Sequence, residues 1–149
     1  MTPEIELLLK CAQARPDQAA LRALAERPID WPRFLELAAW HSLAPLAYWR
    51  LQETCPDAVP GETLAGLGER FRANVERNLC LTAELLVILD LFEGGGVSAV
   101  AFKGPVLAWW VYGHPALREY LDLDILVPLE DVPRARELLT RRQVLLGGE

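Results

Sequence analysis

The stretch AFKGPVLAWWVYGHPALREYLDLDILVP, Ala101 to Pro128, decides how this chain is read. Its last third, Tyr120 to Val127, predicts a strand that Pro128 closes. Side chains alternate between the faces of a strand. Leu121, Leu123, Ile125 and Val127 therefore share one face, and Asp122, Asp124 and Leu126 share the other. Two carboxylates side by side repel unless positive charge lies between them. A divalent cation supplies that charge, and hard oxygen ligands favour Mg²⁺ or Mn²⁺ held jointly with substrate phosphates.

The residues upstream suit a phosphate. Val97–Phe102 (VSAVAF) predicts a strand, Lys103-Gly104-Pro105 a tight connection, and Pro105–Tyr112 a helix with proline in its first turn. Gly104 lets backbone approach a ligand closely. The start of the helix offers free N–H groups and a positive dipole end. Lys103 adds a point charge, and Arg118, four residues before Asp122, reaches phosphate oxygens from the Gly113-His114-Pro115 turn. Plainer readings stand beside these. The two aspartates also suit the wet face of a half-exposed strand. Lys103-Gly104 also suits an ordinary strand-to-helix turn, and Arg118 an ion pair with Glu119 or Glu130. His114 is a turn residue and His41 a helix-boundary residue.

Outward from this stretch the texture changes. The first ninety or so residues predict helices: near 3–14, from Asp17 to Pro28, from an N-cap at Asp30, and from Leu43 to Gln52. A loop at Asp57–Gly61 leads into a long helix whose apolar line runs Leu64, Leu67, Phe71, Val75, Leu79, Thr82, Leu86 and Leu89. Gly94-Gly95-Gly96 stops it. Trp31, Trp40 and Trp49 fall on helices and are assigned to interhelical core, and Trp109 and Trp110 to core and partner-facing packing. After Pro128, Glu130–Arg142 predicts a helix with Val132, Ala135, Leu138 and Leu139 inward. Gln143–Leu146 is read as the start of a third strand, and the core as unfinished at Glu149.

Composition narrows the classes. The chain has 149 residues, 52% of them hydrophobic, enough for a packed core. No apolar run is long enough to span a bilayer, and MTPEIELLLK lacks the basic start and cleavage site of a signal peptide, so a cytoplasmic protein without membrane partners is expected. A net charge of −6 argues against a broad grip on nucleic acid. Cys11, Cys55 and Cys80 match no metal spacing and are read as plain buried or half-buried thiols.

Taken together, F-K-G-P, Y-G and L-R-E-Y-L-D-L-D-I-L-V resemble the uncharacterised bacterial nucleotidyltransferase family within the polymerase β-like superfamily. The specific resemblance covers about Val97 to Leu139. It implies transfer of a nucleotidyl group from an NTP to an acceptor, which is a small molecule, a protein or an RNA end. It further implies that Asp122 and Asp124 hold two Mg²⁺ ions (or Mn²⁺), that Gly104 and the helix start hold the β- and γ-phosphates, and that Lys103 and Arg118 neutralise charge on them. The superfamily signs its phosphate turn Gly-Ser, whereas this chain has Gly104-Pro105. Its third carboxylate, normally on a later strand, is not identifiable here.

The expected fold is α+β: a helical N-terminal subdomain, 1–94, then a partial nucleotidyltransferase core, 95–149, with a short mixed β-sheet. The expected function is Mg²⁺-dependent nucleotidyl transfer. The alternative is a catalytically incomplete module that binds or dimerises, with an open sheet edge favouring a homodimer.

Overall fold

The computed structural model describes residues 1–13 and 15–146, the side chains of 143–146 excepted. Four helices come first: α1 (Pro3–Cys11), α2 (Gln18–Ala25), α3 (Trp31–Trp40) and α4 (Ala44–Thr54). Their starts are written locally. Asp17 accepts hydrogen bonds from the Ala19 and Ala20 N–H groups at 3.0 and 3.2 Å, and Asp30 accepts one from Arg33 N–H at 3.0 Å. Buried Glu4 reaches across from α1 and accepts the Asp30 backbone N–H at 3.0 Å. That hydrogen bond holds its carboxyl below the usual range. Arg22 clamps Asp57 with two bonds of 2.8 and 2.9 Å, tying α2 to the turn after α4.

The long helix α5 (Gly61–Gly94) is the shared beam. Its 34 residues extend about 50 Å at the usual rise per residue. Its first turns close the main apolar core, in which Leu7, Leu21, Phe34, Leu51 and Leu67 are fully buried. Its last turns join a second cluster with Phe92, Val97, Ala135 and Leu138.

The apolar line expected along α5 is corrected in its middle. Leu79 and Leu86 are 61% and 58% exposed. The buried positions are Thr63, Leu67, Gly68, Asn74, Asn78, Leu85 and Phe92. The helix turns two asparagines inward because what it packs against there is polar: the backbone carbonyls of the segment 115–118.

Beyond α5 come β1 (Val100–Phe102), α6 (Gly104–Tyr112), β2 (Asp124–Leu126) and α7 (Val132–Leu146). Short 3₁₀ turns lie at Pro115–Leu117 and Leu129–Asp131. The α+β class holds. Among the described residues the sheet is a single antiparallel pair rather than a mixed sheet, with Val100, Ala101 and Phe102 opposite Leu126, Ile125 and Asp124. The expected third strand at Gln143–Leu146 is instead the continuation of α7. No proline or glycine interrupts the helix between Arg134 and Leu146, so it runs on. Glu84 and Arg142 form a two-bond ion pair that fastens α7 to α5.

Directly opposed residues of an antiparallel pair point to the same face. Ala101 and Ile125 face inward, and Ile125 packs with Val127 and Leu139 on the second cluster. Val100, Phe102 and Leu126 face solvent, and Asp124 shares their side. The tryptophan assignments divide. Trp31 packs on the main core, whereas Trp49 is partly exposed at 38% and lies tilted against Phe71 and His114 with ring centroids 6.2 and 5.8 Å away. Trp40 is 86% exposed, and Trp109 and Trp110 are also exposed. Cys11 and Cys55 are buried, and Cys80 is exposed rather than buried.

Candidate active site

Asp124 opens β2, opposite the last residue of β1. Lys103 follows that residue directly, so the register carries its ammonium to the carboxylate: Nζ lies 3.4 Å from Asp124 Oδ2. The same ammonium stands 5.3 Å from the centre of the Phe102 ring. Asp122 precedes the strand on a bend and is exposed, so the expected strand is shorter than its sequence pattern. The two aspartates keep their two-residue spacing. Of the two, only Asp124 forms an ion pair with a described residue.

The turn between β1 and α6 is conformationally costly. Lys103 has φ 60° and ψ −139°, and Gly104 has φ 42°. A lysine there sits in a region nearly reserved for glycine. Gly104 and Pro105 are buried beneath the following helix. A β-carbon on Gly104 would stand 3.7 Å from the Asp122 carbonyl oxygen and 4.0 Å from the Tyr120 ring. The Lys103-Gly104 turn and the aspartate segment are thus in near contact through backbone. Pro105 lacks an N–H, which leaves the α6 start with one donor fewer.

Arg118 lines an open groove of about 540 Å³. Ala101, Phe102, Lys103, Val106, Leu107 and Trp110 line the rest of it. Arg118 forms no ion pair with Glu119, Glu130 or any other described residue, and one terminal guanidinium nitrogen is buried without a hydrogen-bond partner. The structure therefore brings Lys103 to Asp124 and sets Lys103 and Arg118 along one groove. Neither Asp122 nor Asp124 lines that groove; Asp124 borders it through its contact with Lys103. His114 plays its turn role: its Nδ1 accepts the Ala116 N–H at 3.1 Å.

Two carboxylates with this spacing fit a hard cation that completes its shell with substrate phosphates, and not one caged by protein alone. Among the described residues no cluster of three or more His, Cys, Asp or Glu side chains surrounds them.

The residues missed from sequence are Asn74, Asn78 and Tyr120, which fasten the Arg118 segment to α5. A signal existed in spacing. Leu67 and Asn74 are seven apart, as are Asn78, Leu85 and Phe92, so both asparagines sit in register with core positions.

β1, the Lys103-Gly104 turn, α6 and β2 form a β–turn–α–β unit that sets a cationic glycine turn beside the Asp-x-Asp segment. The family described as "Uncharacterised nucleotidyltransferase" matches residues 27–144, and the chain belongs to it. Comparison with curated proteins and with solved structures gave no match. No described helix is long and apolar enough to cross a membrane.

Proposed function

We propose that this chain carries the nucleotide-binding half-site of a nucleotidyltransferase that moves a nucleotidyl group from an NTP to an acceptor. Membership of the family supports the reaction class. The observation that carries the site is the Lys103–Asp124 contact across a strained Lys103-Gly104 turn. Strain of this kind persists only where the surrounding structure enforces it, and it gathers at ligand clamps.

In this reading Asp122 and Asp124 hold Mg²⁺ or Mn²⁺. The cation, when bound, supplies Lewis-acid activation of the acceptor hydroxyl and neutralises charge on the leaving pyrophosphate. Lys103 neutralises Asp124 in the free protein and would meet the charge of the triphosphate when nucleotide is bound. Arg118, which lines the same groove, contributes its guanidinium. Gly104 admits the phosphates close to backbone. The apolar lining from Phe102 to Trp110 offers the nucleoside a dry surface.

The test is calorimetric titration of ATP, GTP, CTP and UTP, with Mg²⁺ or Mn²⁺, into the wild-type chain and an Asp122→Ala/Asp124→Ala variant. Metal-dependent binding that disappears in the variant is expected. A folded wild-type chain that binds no nucleotide overturns the reading.

A further inference from the structure

Asn74 and Asn78 lie one turn apart on α5, and each is 1% exposed. Buried amides are costly unless paired; here both NH₂ groups are directed at one short segment, while the two side-chain oxygens are buried without a hydrogen-bond partner among the described residues. The Asn74 side-chain amide donates to the Ala116 and Arg118 carbonyls at 2.8 and 3.3 Å. The Asn78 amide donates to the Pro115 and Arg118 carbonyls at 2.8 and 2.9 Å. Both therefore converge on the Arg118 carbonyl. The Tyr120 hydroxyl returns to α5, donating to the Asn78 carbonyl at 3.4 Å, and the Thr82 hydroxyl lies 3.5 Å from it. The ring of that tyrosine is the one beside Gly104.

A bundle needing only a covered helix would place apolar residues at these sites, as α5 does at Leu67, Leu85 and Phe92. Hydrogen bonds fix direction and register where apolar contact fixes only proximity. What they fix here is the segment from Pro115 to Tyr120, which carries Arg118 and runs into Asp122.

We infer that Asn74 and Asn78 are positioning residues for nucleotide binding: through the Arg118 backbone they hold the Arg118 guanidinium on the groove that Lys103 also lines. This inference rests on the nucleotidyl-transfer reading. The residues touch no substrate themselves, so their effect on binding passes through Arg118. Removing Arg118 therefore removes that effect.

The test is a double-mutant cycle on the full chain. Calorimetry measures the affinity of the tightest-binding Mg²⁺–NTP for wild type, Asn78→Ala, Arg118→Ala and the double variant, above a melting curve for each. Hydrogen exchange follows the amides of 115–122. Each single change is expected to weaken binding about tenfold, the scale of one charge-assisted hydrogen bond. Asn78→Ala is expected to speed exchange in 115–122, and the double variant to bind no more weakly than Arg118→Ala alone. Asn74→Ala removes the other two bonds and replaces Asn78→Ala if that variant does not fold. Unchanged affinity in a destabilised Asn78→Ala protein, or additive losses in the double variant, overturns the inference and leaves the asparagines a structural role. Absence of binding in wild type overturns the functional reading itself, and appears before any variant is compared.

Discussion

Replacing Lys103 separates stability from function at a single residue. Its backbone, at φ 60° and ψ −139°, costs about 1–3 kcal/mol for a residue with a β-carbon. Lys103→Gly removes that cost but adds about 0.5–1 kcal/mol of unfolded-chain entropy. It also loses the Asp124 ion pair, which is worth a few tenths of a kcal/mol because both side chains are about half exposed. The balance favours the glycine variant over wild type by about 1 kcal/mol, or roughly 2–4 °C in melting temperature for a chain of this length. Lys103→Ala keeps the strain and loses the ion pair, so it is expected to melt at or slightly below wild type. Both variants lose the ammonium and are expected to weaken Mg²⁺–NTP binding alike. Denaturant melts of the three proteins at pH 7, paired with calorimetry, read both effects. A glycine variant less stable than the alanine variant refutes the strain argument. Nucleotide affinity retained by both variants refutes a phosphate role for Lys103.

Glu4 links pH to the packing of α1 on α3. Its folded value is depressed, chiefly by the Asp30 N–H, so its contribution is present above the ordinary value of 4.5 and is lost as pH falls through the lowered folded value. Glu4→Gln is accordingly expected to be less stable than wild type at pH 6–7, with the gap narrowing below pH 4.5; a gap constant with pH counts against the assignment. The thiols should divide by exposure: Cys80 reacts with a disulfide reagent in the native protein, while Cys11, whose thiol burial pushes up to about 12, and buried Cys55 react only after denaturation. Counting thiols released before and after adding denaturant checks this, and more than one fast thiol contradicts it.

Much was legible locally. Asp17 and Asp30 cap their helices because a short carboxylate satisfies N–H groups two or three residues on, whatever lies elsewhere in the chain. The helix after Gly104, the stop near Gly94, the Asp-x-Asp pair and the cationic turn follow from the same short-range chemistry. The failures cluster where a partner element sets the answer. The strand pattern at Tyr120–Val127 is longer than β2 because only three residues find hydrogen-bonding partners on β1. The apolar line of α5 is overruled at Leu79 because the segment packed against that part of the helix presents carbonyls, which the Asn74 and Asn78 amides satisfy.

By itself, then, the sequence determined the helical first part, the class of the fold and the types of residue at the site, since capping, periodicity and turn chemistry act within a few residues. Tertiary structure alone decided that Lys103 meets Asp124, that Arg118 stands unpaired on the same groove, and that Asn74 and Asn78 face inward to hold it. Those depend on strand register and on which helix face is covered, and both are fixed by residues tens of positions away along the chain.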